Sequence, residues 1–65
     1  MRYEFRIAGG VPDALTETFP ELDTILAPEH TRFFGTVTDE AHLYGLLIRF
    51  QSLGLRVLEM RELPG

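Results

Sequence analysis

The stretch that decides the fold is TDEAHLYGLLIRFQSLG, residues 38–54. Thr38-Asp39-Glu40 predicts the start of a helix, because a hydroxyl or carboxylate caps the exposed amides and acidic groups favour the positive end of the helix dipole. Gly54 predicts its end. We therefore predict a helix over Asp39–Leu53. Its apolar residues share one stripe that should face the core: Leu43, Leu46, Leu47, Phe50 and Leu53.

The rest of the chain is typical of strands placed around a second, shorter helix. Residues 3–8 predict a first strand, because apolar and charged side chains alternate along it. Val11–Phe19 predicts a short helix that the following proline ends. Leu22–Ala27 and Thr31–Val37 predict a hairpin. Leu55–Leu63 predicts the last strand, although its alternation of apolar and polar side chains is imperfect.

The order strand, helix, strand, strand, helix, strand indicates a split βαβ arrangement. Right-handed crossovers place both helices on one side of the sheet. We therefore predict an α+β fold, a ferredoxin-like βαββαβ two-layer sandwich with an antiparallel sheet and two helices on one face, as a single domain over residues 1–65. The other face should be open, and the side chains expected there are Arg2, Glu4, Arg6, Arg32, Phe34, Thr36, Leu58 and Met60.

Composition narrows the classes of function. The chain has 65 residues, a net charge of −4 and no cysteine, so disulfides and thiolate zinc sites are excluded. An acidic chain is not expected to bind nucleic acids or anionic membranes, because both carry negative charge. The N-terminus alternates charged and apolar residues, unlike a signal peptide, and no apolar run approaches ~18 residues. We expect a soluble cytoplasmic protein with no nucleic-acid or membrane partner.

Few residues suggest chemistry. His30 and His42 belong to no metal-binding pattern, and we expect both on the surface. No serine, threonine or lysine is predicted beside an activating base. We therefore expect that the protein is not an enzyme and that it has no catalytic residue, no cofactor and no metal. Phe34 among arginines is similar to the base-stacking sheets of RNA-binding domains, but its spacing does not match their motifs. The loosely clustered acids are expected to form a solvated edge: Glu17, Glu21, Asp23 and Glu29.

Surplus apolar surface in so short a chain predicts a partner, because such a domain buries only about 60% of its unfolded surface. Gly45, inside the predicted long helix, also suggests a close neighbour. A glycine inside a helix costs about 1 kcal/mol relative to alanine and often marks close approach by another backbone, from the same chain or from a partner. The candidate interface residues are Phe34, Leu58 and Met60 on the open sheet face, and Tyr44 and Ile48 on the shoulder of the long helix.

We therefore predict a protein-interaction or regulatory module that acts as a homodimer or binds another protein. The alternative is a small-ligand-sensing domain that binds a metabolite at a dimer seam, by analogy with other ferredoxin-like regulatory domains. A cofactor-free dimeric enzyme is a third hypothesis. It requires a dry cavity between the sheet and a partner that holds a histidine or an acid.

Residues 36–47, together with Leu53-Gly54-Leu55, resemble a group of short hypothetical proteins from GC-rich bacteria. Those proteins carry a V-x-D-x-A-x-L-x-G-L-L pattern, then L-G-L and a final strand. The resemblance covers the C-terminal half and, more loosely, the first strand. It implies no activity, substrate or ligand. The group usually has histidine before the helical glycine, and this chain has Tyr44 there.

Overall fold

A computed structural model describes residues 1–64; Gly65, the last residue of the predicted domain, lies outside the described residues. The four strands form one antiparallel sheet in the order β2-β3-β1-β4. The predicted ferredoxin-like α+β sandwich is confirmed. Its elements are β1 (Arg2–Ala8), α1 (Asp13–Thr16), β2 (Asp23–Leu26), β3 (His30–Thr36), α2 (Glu40–Ser52) and β4 (Val57–Leu63).

Four phenylalanines hold the two layers together. The Phe50 ring of α2 lies 4.5 Å from the Phe19 ring, 5.2 Å from Phe5 and 5.1 Å from Phe33, measured between ring centroids. All four rings are buried. Such aromatic pairs contribute beyond their buried area, by about 0.5–1.5 kcal/mol each. The core therefore lies between α2 and the two central strands, β1 and β3.

The helix α2 begins and ends where the sequence predicts, to within a residue. The Asp39 side chain caps it by accepting a hydrogen bond from the His42 amide at 2.8 Å. Gly54 follows it with a φ of +74°, a conformation that favours glycine. Of the predicted core stripe, Leu43, Leu46 and Phe50 are buried, while Leu47 and Leu53 are half-buried against the core.

The first helix is shorter than predicted, four residues in place of nine. The amides of Thr18 and Phe19 bond to carbonyls only three residues back, at Leu15 and Thr16, so the chain tightens and leaves the α-helix. That turn directs Phe19 into the core, where it is buried. Pro20 does not end the helix as predicted, because α1 already ends at Thr16.

The imperfect alternation in β4 has a structural cause. The pairing of β1 with β4 shifts between Arg6 and Ile7, which face Glu59 and Val57, so β4 carries one extra residue, Leu58, in a bulge. A bulge reverses the alternation along a strand. Apolar residues of both parities can therefore occur in β4 without burial on both faces.

The expectation that Met60 lies on the open face is wrong. Met60 lies directly opposite Phe5, whose side chain is in the core, so Met60 shares the helix-covered side of the sheet. It remains 40% exposed, because β4 is an edge strand. Its neighbours Glu59 and Arg61 face the open side, where each is paired with a side chain of β1.

Candidate interaction surfaces

The open face of the sheet carries a ladder of paired charges. Glu4, in the middle, accepts hydrogen bonds from Arg32 on β3 (Nη1 to Oε2, 3.4 Å) and from Arg61 on β4 (Nε to Oε1, 3.3 Å). The Glu4 side chain is only 13% exposed. Arg6 Nη2 lies 3.8 Å from Glu59 Oε1 in the next row. The ladder therefore links β3, β1 and β4 through alternating charges.

Phe34 lies on this open face, as predicted. It is half-buried, opposite Glu4 on one side and Asp23 on the other. Apart from Phe34, the large apolar side chains on this face are Ile25 on the β2 edge and Leu63 near the end of β4. The face is thus mainly charged, with one central aromatic ring.

The free edge of β4 brings two of the candidate interface residues together. β4 is last in the sheet order, so its outer backbone groups have no strand partner within residues 1–64. Leu58 and Met60 are both exposed along it. Phe34 is separated from them by β1. An unpaired edge of seven residues can accept another strand.

The outer side of α2 forms an uncharged surface. Tyr44 is 57% exposed and Ile48 is 62% exposed, one helical turn apart, with Ala41 and Gly45 beside them. This side is opposite the buried stripe, so these residues are on the back of the helix, farther from the core than the predicted shoulder. A Cβ at Gly45 would meet no atom within 4 Å among the described residues. Close packing within the chain therefore does not explain this glycine.

A polar cluster joins the loop after α1 to α2, and the sequence did not predict it. The Glu21 carboxylate accepts hydrogen bonds from Arg49 Nη1 at 3.1 Å and Nη2 at 3.4 Å, and it lies 3.5 Å from His42 Nε2. Burial alone would raise the pKa of Glu21. Hydrogen bonds from Arg49, from its own amide and from His42, with the charge of Arg49, outweigh that effect and hold the pKa below its ordinary 4.5.

The same cluster corrects the expectation that no hydroxyl lies beside a base. Thr38 Oγ1 is 3.3 Å from His42 Nδ1, and the Thr38 amide donates to the same nitrogen at 3.1 Å. Hydroxyl, imidazole and carboxylate then follow one another as in a nucleophilic triad. The amide already uses the Nδ1 lone pair, however, so the geometry is that of a structural link at the start of α2. The i, i+4 spacing of Thr38 and His42 was the one signal for it in the sequence.

Residues 1–64 contain no pocket and no cluster of three side chains that could hold a metal ion. None of the helices in this part of the chain is long and apolar enough to cross a bilayer.

Fold and surfaces together define a small ferredoxin-like α+β domain with a charged sheet face and a free strand edge. The chain belongs to the family described as "Domain of unknown function (DUF8691)", which matches residues 2–61. No curated protein and no solved structure matches the chain. The family match spans all six elements except the last two residues of β4.

Proposed function

We propose that this protein is a protein-interaction module that acts as a homodimer, with β4 of one protomer paired antiparallel to β4 of its partner. The observation that carries the proposal is the symmetry of charge about Met60. Glu59 and Arg61 flank it, carry opposite charges and face the same side of the sheet. A two-fold interface must be self-complementary, and this segment is.

A two-fold axis through Met60, perpendicular to the sheet, generates matched pairs. Glu59 then lies opposite the partner's Arg61, and Arg61 lies opposite the partner's Glu59. Opposite charges directly across antiparallel strands contribute about 0.2–1 kcal/mol per pair, whereas like charges destabilise. The two Met60 side chains meet on the helix-covered side, where they lose part of their exposed apolar area.

The pairing also extends the ladder within each protomer. Arg61 already contacts Glu4, and Glu59 already contacts Arg6. A chain of contacts would then alternate in sign from Arg32 through Glu4 and Arg61 to the partner's Glu59. The contacts of Arg61 with Glu4 and of Glu59 with Arg6 restrict Arg61 and Glu59 before association, although both are more than half exposed, so a small part of the side-chain entropy is already lost before the strands pair.

The predicted dimer is of modest affinity. The pairing uses about five residues on each strand, so we expect an interface at or below ~1,200 Å², in the range of weak complexes. Each protomer carries a net charge of −4, so two protomers repel each other over longer distances. Added salt screens that repulsion, and dimerisation should strengthen between low and moderate salt.

Two charge reversals test the proposal. Glu59→Arg places arginine opposite arginine across the axis, and Arg61→Glu places glutamate opposite glutamate, so each variant alone should be monomeric in sedimentation velocity. An equimolar mixture should recover the dimer, because every cross-strand pair is then opposite in sign. Mixing leaves the contacts inside each chain unchanged, so loss of stability in either variant cannot produce that recovery.

The matched controls are Glu17→Arg and Arg56→Glu, which make the same charge changes at exposed positions outside β4. Both should dimerise as the unmodified protein does. A mixture of the two β4 variants that remains monomeric would refute the pairing, as would an unmodified protein that is monomeric at ~0.5 mM in moderate salt.

A further inference from the structure

We propose that the open face of the sheet binds an acidic helical segment of a second protein. The inference extends the proposed function from self-association to a partner, and it does not require the dimer. Its starting point is the distribution of charge. Four of the six arginines lie on this face, Arg2, Arg6, Arg32 and Arg61, against three carboxylates, Glu4, Asp23 and Glu59.

Four positive and three negative groups give the open face a net charge of +1. The whole chain carries −4, so the remaining surface carries −5. The protein therefore has one positive face on an acidic body. An acidic segment is attracted to that face and repelled by the net negative charge of the rest of the chain, which directs the encounter.

The arginines on this face keep hydrogen-bond donors available. A guanidinium offers five N–H groups, while Arg32 and Arg61 each donate one bond to Glu4. Arg6 Nη2 lies 3.8 Å from Glu59 Oε1, longer than a hydrogen bond, and the Arg6 side chain is 42% exposed. Carboxylates are the groups that such forked donors bind best. The face is thus suited to additional acidic side chains.

Phe34 supplies the apolar contact. Arg32 lies two residues away on the same strand, and Arg2 lies diagonally across on β1, so Phe34 has an arginine position on either side. Four strands spaced about 4.8 Å apart make a surface wide enough for one helix of ~10 Å diameter. A helix with one apolar side chain on Phe34 and acids one turn before and after it matches this pattern.

The same observations disfavour two other occupants. A nucleic acid carries a charge about every 1.7 Å along a duplex, and it would meet Glu4, Asp23, Glu59 and the acidic body of the protein. A second copy placed face to face would bring two positive surfaces together. A short acidic helix avoids both conflicts, because its charges are few and can be placed opposite the arginines.

The probe is a fluorescein-labelled 18-residue helical peptide with leucine at every third or fourth position and glutamate on the flanking positions. Fluorescence anisotropy at low salt should show saturable binding that weakens as salt increases. A peptide with glutamine for glutamate should bind at least tenfold more weakly. A labelled 18-nucleotide oligothymidine, measured in the same way, should bind more weakly than the acidic peptide.

Arg2→Gln and Phe34→Ala should each weaken peptide binding about fivefold or more. Arg49→Gln, which removes the partly exposed arginine of α2 on the other side of the sheet, should leave binding unchanged in protein shown to be folded. Equal loss with Arg49→Gln, no saturable binding, or preference for oligothymidine would overturn the proposal. Sedimentation of Arg2→Gln separates the two proposals, because that variant should dimerise normally even where it no longer binds the peptide.

Discussion

The Glu21 carboxylate and the Arg49 guanidinium form a bidentate ion pair, with Nη1 to Oε1 at 3.1 Å and Nη2 to Oε2 at 3.4 Å. This pair links the loop after α1 to α2. Arg49 also donates to the Thr18 carbonyl at 3.1 Å and lies 5.2 Å from the centroid of the Phe19 ring. One arginine thus positions the segment that carries Phe19 into the core. Its side chain is 38% exposed, so solvent weakens each of these contacts.

The pair makes stability depend on pH in a defined direction. The pKa of Glu21 is lower in the folded chain than its ordinary 4.5, so the unfolded state binds more protons between the two values. The contribution is complete above pH 4.5 and is lost as the pH falls through the lowered pKa. We expect Glu21→Gln to lose at most about 1 kcal/mol at pH 7.

Urea unfolding between pH 3 and pH 7 measures this effect. The difference in unfolding free energy between the unmodified protein and Glu21→Gln should shrink below pH 4.5. A difference that stays constant from pH 7 to pH 3 would show that the carboxylate charge is not what matters. Asp13→Asn, at an exposed site on α1, provides the comparison for a carboxylate outside this pair.

Neighbouring leucines of α2 should differ in their contribution to stability. Leu46 is fully buried in the core, whereas Leu47 is half-buried at its margin. Leu46→Ala should cost about 2–5 kcal/mol, because it removes buried area and leaves a cavity. Leu47→Ala should cost distinctly less, and the two are compared by urea unfolding. Equal losses would mean that the depth of burial described for α2 is wrong.

Replacement by alanine should have opposite effects on stability at two glycines. At Gly45 an added Cβ meets nothing within 4 Å, so Gly45→Ala should stabilise the protein by about 1 kcal/mol through helix propensity. At Gly35 the Cβ would lie 3.1 Å from the Glu21 carbonyl oxygen and 3.1 Å from Leu22 Cδ2, so Gly35→Ala should lower the melting temperature. A stabilising Gly35→Ala would contradict the close packing of the α1–β2 loop on β3.

Periodicity predicted most of this fold because β1, β3 and α2 each have one clearly apolar side. The α2 stripe ending at Gly54, and the alternation in β1 and β3, were sufficient to predict the antiparallel sandwich. The length of α1 was not predictable, because Thr16 and Thr18 can bond to the backbone in a helix or in a turn.

The candidate surfaces were only partly predictable. Phe34 was placed correctly by strand parity, but Met60 was not. The bulge at Leu58 shows in the sequence only as imperfect alternation, which does not reveal where the extra residue lies. The position of β4 at the edge depends on long-range pairing with β1. The contact of Glu21 with Arg49 joins residues 28 positions apart, which local patterns cannot reveal.

The pairing of β4 with its copy is tested most directly by one cysteine. The chain contains none, so Met60→Cys introduces a single thiol at the proposed axis, where the Cβ atoms of facing residues lie about 4.5–5.5 Å apart, close enough for a disulfide after slight adjustment. Under mild oxidation, Met60→Cys should form a covalent dimer much faster than Ile48→Cys, whose thiol lies on the more exposed outer side of α2. Faster cross-linking through Ile48→Cys, or equally slow reaction of both, would contradict the β4 dimer.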